Sequence, residues 1–90
     1  MIDVMPKGDG TFRVDVSNGS TTSLTSAVPA GYAAELSGGD ATDTDLVERS
    51  FEFLLEREPA SSILRSFELP VIARYFPEYE DTMKSLYGSR

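Results

Sequence analysis

The stretch LVERSFEFLLEREPASSILRSFELPVIARYFPEY, residues 46–79, decides how this chain folds, because it holds most of the large apolar side chains. Runs of helical periodicity alternate in it with prolines. Pro59, Pro70 and Pro77 each lack a backbone donor, and each disfavours the α conformation in the residue before it. Several short helices are therefore expected in place of one rod. Leu46, Val47, Phe51, Leu54 and Leu55 cover one half of a helical circumference, with Phe53 near its margin, while Glu48, Glu52 and Glu56 line the opposite side. A stripe that broad must lie on something else.

Working outward, Thr42 followed by Asp45 is a variant of the capping box, and Asp43 and Asp45 oppose the positive end of the helix dipole. This predicts a helix over 43–58, entered from a linker at 39–43. After Pro59, Ser61 or Ser62 is expected to cap a short helix carrying Ile63, Leu64 and Phe67. Pro70 starts another turn, and Val71, Ile72, Tyr75, Phe76, Tyr79, Met83 and Leu86 continue at spacings of three and four across Pro77. The last piece, to about Tyr87, is the most polar. Upstream, Pro29 suits a helix start, Tyr32, Ala33 and Leu36 form a short apolar side, and Gly38-Gly39 supplies a stop.

The N-terminal third has a different period. Ile2, Val4 and Pro6, then Phe12, Val14 and Val16, alternate with polar or exposed-type residues as in half-buried strands. Lys7-Gly8-Asp9-Gly10 and Ser17-Asn18-Gly19-Ser20 supply the turns. Two-residue type I′ turns would set Phe12 opposite Lys7 and split the apolar set between two faces. Three-residue loops with Gly10 and Gly19 in the left-handed region pair Ile2 with Val16, Val4 with Val14, Pro6 with Phe12, and Phe12 with Leu24. That register keeps the apolar groups together and is the one expected. The third strand, over 20–28, is mostly Ser and Thr and reads as an edge, open in principle to an extended peptide.

The chain has 90 residues, a formal net charge of −7, no cysteine and no histidine. One domain is expected, 1–90, divided into a β-meander at 1–28 and a helical part at 29–90. Without Cys there is no disulfide frame or thiolate site, and without His there is no Ser-His-Asp relay or ordinary zinc site. The acidic balance argues against nucleic acid, because counterion release needs clustered cations, although Arg49, Arg57, Arg65 and Arg74 could still gather on one surface. No apolar run approaches the roughly 20 residues that cross a bilayer, and 1–20 lacks the layout of a secretory signal. A soluble, cytoplasmic protein is expected, with no membrane role.

Two clusters invite chemistry. Asp40, Asp43, Asp45 and Glu48 could hold a cation, yet they fail the EF-hand spacing, with no glycine at the sixth position, and capping accounts for them. Arg74, Tyr75, Phe76 and Tyr79 concentrate aromatic surface beside a cation, a composition enriched at binding hot spots and equally at home in a core.

Residues 50–80, SFEFLLEREPASSILRSFELPVIARYFPEYE, resemble a family of small uncharacterised prokaryotic proteins that carry a FLLEREP...SILR.F.L..I.RYFPEY segment. The resemblance implies a shared fold. It brings no activity, cofactor or residue role with it. The expectation is thus an α+β fold, a three-stranded antiparallel meander packed on one face by three to five short helices. Functionally, a non-enzymatic interaction module is expected, with no cofactor, meeting a protein partner or its own copy through Arg74, Tyr75, Phe76 and Tyr79. A carboxylate metal or enzyme site over residues 40–48 is the alternative.

Overall fold

A computed structural model describes residues 2–17, 20–39 and 41–88. It is an α+β fold with a four-stranded mixed sheet and four α-helices. Strands β1 (Ile2–Gly8), β2 (Thr11–Ser17) and β3 (Thr21–Ala27) run antiparallel in chain order, and β4 (Ser66–Glu68) adds to β3 in parallel. Between β3 and β4 come helices α1 (Tyr32–Ser37) and α2 (Asp43–Leu55) and a 3₁₀ turn at Ala60–Ser62; after β4 follow α3 (Pro70–Tyr75) and α4 (Tyr79–Gly88). None of the described helices is long and apolar enough to cross a membrane.

The first hairpin keeps the expected register by an unexpected route. Ile2 pairs with Val16, Val4 with Val14 and Pro6 with Phe12, yet Gly8 pairs with Thr11 across a two-residue turn. Asp9 and Gly10 both have positive φ, 53° and 75°, as a type I′ turn requires. The register shift between Pro6 and Gly8 places the extra residue inside β1. A bulge in the strand thus does what the three-residue loop was expected to do, and the apolar face survives the tight turn.

In the second hairpin Val14, not Phe12, lies opposite Leu24, and Phe12 faces Ser26. The slip is two residues, so every side chain keeps its face. Asn18 and Gly19 lie outside the described residues, and with them the left-handed conformation expected of Gly19. Nor is β3 an edge. Its Ser/Thr-rich side is occupied by β4, where the chain was expected to be helical at 63–67. Ser66 and Glu68 point to the exposed face while Phe67 turns inward, a period of two that pairing with β3 selects over the helical spacing.

Two helix boundaries also differ. Gly31 has φ 80°, which a right-handed helix cannot include, so α1 begins at Tyr32, whose N–H donates to the Pro29 carbonyl at 3.0 Å. At the other end of the helical core, α2 stops at Leu55, three residues short. There the N–H groups of Arg57 and Glu58 both turn back to the Leu54 carbonyl, at 3.0 and 2.8 Å, before Pro59. Its start is as expected, with the Thr42 hydroxyl accepting from the Asp45 N–H at 3.1 Å.

One cluster joins the sheet to the helices. Val14, Val16 and Leu24 from the sheet meet Leu46, Val47 and Phe51 of α2, all essentially without exposure, and Phe12 belongs to the same cluster. Each such side chain contributes about 1.5–3 kcal/mol relative to an exposed one. The opposite face of the sheet stays polar: Arg13, Ser23 and Asp15 form a surface network there, with Ser23 Oγ donating to Asp15 at 2.8 Å and Arg13 Nε at 3.1 Å. Those two hydrogen bonds, Ser23's first, hold the Asp15 carboxyl below its usual range.

Candidate functional site

Leu69 is buried without exposure, and Pro70 follows it at the first position of α3. The helix lasts only six residues, because Pro77 pushes Phe76 to an extended backbone, φ −130° and ψ 89°. Phe76 N–H still donates to the Ile72 carbonyl at 2.8 Å, so Tyr75 and Phe76 sit on the final turn. Chain direction then changes, and Tyr79 opens α4.

This break separates the four residues singled out in the sequence. Tyr79 is 0 % exposed, Phe76 is half-buried, and Arg74 and Tyr75 are exposed, Tyr75 at 66 %. Tyr79 belongs to the interior, where its hydroxyl and Ser50 Oγ share a hydrogen bond of 2.6 Å. Burial pushes its phenol up to about 12, with the Ser50 bond acting in the other direction. The ring meets Phe53 edge-on at 5.3 Å, and Phe76 also meets Phe53 edge-on, at 5.9 Å. The Arg57 guanidinium lies 3.6 Å from the Phe53 ring centre, donates to the Phe53 carbonyl at 3.1 Å and pairs with Glu78 at 3.3 Å. Helix α4 is held at its flanks by two more tyrosines. Tyr32 donates to Glu80 at 2.8 Å and Tyr87 to Asp45 at 2.6 Å, and burial, then these carboxylates, raises both phenols.

Helix α3 also borders open space. The end of α2, the segment after the 3₁₀ turn, β4 and α3 enclose a half-open groove of about 220 Å³. Leu54, Ile63 and Ile72 form its buried depth, Phe67, Val71 and Phe76 its half-buried walls, and Leu64 and Tyr75 its exposed rim. Phe67 is backed by Phe51, ring centres 5.8 Å apart, so the wall rests on the core. Glu58 and Ser62 are the polar side chains of the lining besides the Tyr75 hydroxyl, and Glu58 makes no ion pair among the described residues.

Of the expected partner-binding residues, then, Tyr75 and Phe76 line this groove, Arg74 lies next to it in sequence, and Tyr79 does not reach it. Leu64, Phe67 and Glu58 were not among the residues singled out. Their signal was present: Ile63 and Leu64 are adjacent and both large, so in an extended segment one of them has to face outward.

The described acidic residues singled out in the sequence do not line this groove. Asp45 accepts from Tyr87 and lies 3.9 Å from Arg49 Nε, Glu48 is exposed, and Asp40 lies outside the described residues. Among the described residues no group of three or more Asp, Glu, His or Cys gathers where a metal could sit. Of the arginines, Arg49 lies beside Asp45 and Arg57 over the Phe53 ring. Comparisons of the chain with protein-family models, curated proteins and solved structures find no match.

Proposed function

We propose that this protein is a non-enzymatic interaction module that docks a protein partner through the groove between the end of α2, β4 and α3. One observation carries this: on a strongly acidic chain, an open apolar groove is rimmed by Leu64 at 51 % exposure and Tyr75 at 66 %. Leaving Leu64 and Tyr75 half to two-thirds in water forgoes about 1–2 kcal/mol each relative to full burial, a loss that a bound partner recovers. The size of the groove supports a side chain as its occupant. Small-molecule sites run from roughly 300 Å³ upward, whereas an apolar cavity of about 150 Å³ already accepts benzene.

Benzene is therefore a direct probe. Added to the ¹⁵N-labelled chain, it is expected to shift the amide resonances of Leu64, Phe67, Ile72 and Tyr75 and to leave the outer face of β1 to β3 unmoved. Leu64→Asp is expected to weaken this response while retaining the helical circular-dichroism signal. Shifts that are absent, or scattered over the surface, would remove the basis for a docking groove.

A further inference from the structure

Beside the groove the sheet ends in a free strand. The β3–β4 pairing is framed by two hydrogen bonds: Thr25 N–H donates to the Arg65 carbonyl at 2.7 Å, and Leu69 N–H donates to the Ala27 carbonyl at 3.0 Å. Alternate residues of a strand bond to opposite sides. With Arg65, Phe67 and Leu69 engaged toward β3, the N–H and C=O of Ser66 and the N–H of Glu68 point the other way, with no partner among the described residues, while the Glu68 carbonyl leads into the turn that starts α3. The far edge of the sheet differs. On β1, Pro6 lacks a donor and the bulge between Pro6 and Gly8 interrupts the ladder, two devices that discourage a further strand.

The free edge and the groove share a face. Phe67, paired with the buried Ser26, is both the inward residue of β4 and a wall of the groove. A strand laid against β4 sets every second side chain on that same face, next to Phe67. Charge narrows the occupant further. Glu58 is the charged member of the lining, it is half-buried, and it makes no ion pair among the described residues, while the whole chain carries −7.

Building on the docking role above, we infer that the occupant is an extended cationic segment of a partner protein. It adds to β4 as a fifth strand, bonds to the backbone of Ser66 and Glu68, sends one branched or aromatic side chain into the groove and places a Lys or Arg against Glu58. Main-chain bonding gives affinity without regard to sequence. The groove and Glu58 give the selection, an apolar anchor next to a cation.

The test uses the full chain and three synthetic pentapeptides: acetyl-Lys-Val-Leu-Val-Lys-amide, its counterpart with Glu for Lys, and the Lys peptide N-methylated at alternate peptide nitrogens. The Lys peptide is expected to move the Ser66 and Glu68 amide protons downfield, to slow their exchange with solvent and to shift the groove resonances. Its affinity is expected to exceed that of the Glu peptide by about tenfold at low salt, because charge reversal acts on one partly desolvated pair. Glu58→Gln narrows that margin, and N-methylation on the bonding side abolishes the Ser66 and Glu68 response. If benzene enters the groove but the Lys and Glu peptides bind alike, or leave Ser66 and Glu68 unmoved, the docking groove stands and this inference fails. If Ser66 and Glu68 respond to protein concentration alone, the occupant is a second copy and the inference again fails. If benzene does not enter either, both fall together.

Discussion

Removing the Tyr79 hydroxyl, the Ser50 hydroxyl, or both isolates a hydrogen bond that joins α4 to α2 in the interior. The two oxygens are 2.6 Å apart and both residues are 0 % exposed. A buried polar group that loses its partner bears a desolvation penalty of about 1–3 kcal/mol, whereas removing both partners together is nearly neutral apart from the space left behind. The single changes are not equivalent. In Tyr79→Phe the remaining Ser50 hydroxyl lies within α2 and can turn to the carbonyl one helical turn back, so the cost is about 1 kcal/mol. In Ser50→Ala the Tyr79 hydroxyl keeps no alternative, and a methyl-sized gap opens beside it, for about 2–3 kcal/mol. The double variant leaves no hydroxyl unpaired and is expected to cost about 1 kcal/mol for the space left behind, below the larger single value, giving a coupling energy of about 2 kcal/mol or more. Urea unfolding at pH 7, followed by far-ultraviolet circular dichroism, measures all four species. A chain of this length has a stability of roughly 5–13 kcal/mol, so each variant should retain a folded baseline. Single costs that add within about 0.5 kcal/mol would refute the premise that these hydroxyls meet in a dry interior.

The same tyrosine makes stability fall in alkali. Its folded pKa, raised to about 12, exceeds the ordinary value of 10, so the contribution is complete below pH 10 and is lost as the pH rises toward 12. Between those limits the unfolded chain has released a proton that the folded one retains, and unfolding free energy should drop by about 1.4 kcal/mol per pH unit for Tyr79, with Tyr32 and Tyr87 steepening the decline; a flat profile from pH 9 to 11.5 would contradict their burial. Ser26 Oγ is buried and finds no protein partner among the described residues, so Ser26→Ala is expected to raise the urea midpoint by about 1 kcal/mol in stability, and a loss would reveal a bond to that hydroxyl. Gly10→Ala should cost more than Gly38→Ala. Both positions have positive φ, which costs alanine about 1–2 kcal/mol, but a Cβ at Gly10 would also stand 2.8 Å from the Val28 carbonyl oxygen, while at Gly38 it meets nothing within 4 Å. Equal losses in thermal melts would show that the hairpin shifts to make room.

Legibility varied with the range of the forces involved. The first hairpin's register was readable because two local signals, alternation and facing, admit one arrangement that buries Val4, Val14, Val16 and Phe12 together. How the turn achieves it was not, since a bulge at Lys7 and a longer loop satisfy the same facing. The Thr42 cap and the proline breaks were readable for the same local reason. Helix was expected over 63–67 because Ile63, Leu64 and Phe67 fit a spacing of three and four. Phe67, Ser66 and Glu68 fit a period of two equally well, and the presence of β3 alongside decides between them. The aromatic group fared likewise: Tyr75, Phe76 and Tyr79 look alike in a helical projection, and the bend at Pro77 sends Tyr79 inward and leaves Tyr75 outside.

Composition and periodicity alone determined that two hairpins precede the first helix, where α2 begins, which face of each hairpin strand is apolar, and that chemistry depending on His or Cys side chains has no residues to use. These follow from contacts between residues a few positions apart, whose free energy is written into local order. Tertiary structure alone decided that β4 completes the sheet in parallel, that Glu58, Leu64, Phe67 and Tyr75 converge on one groove, and that Ser50 meets Tyr79. The β3–β4 partners are 41 positions apart, Ser50 and Tyr79 are 29 apart, and the groove draws on α2, β4 and α3, so which of many such pairings forms depends on the single packing that buries the whole apolar set at once.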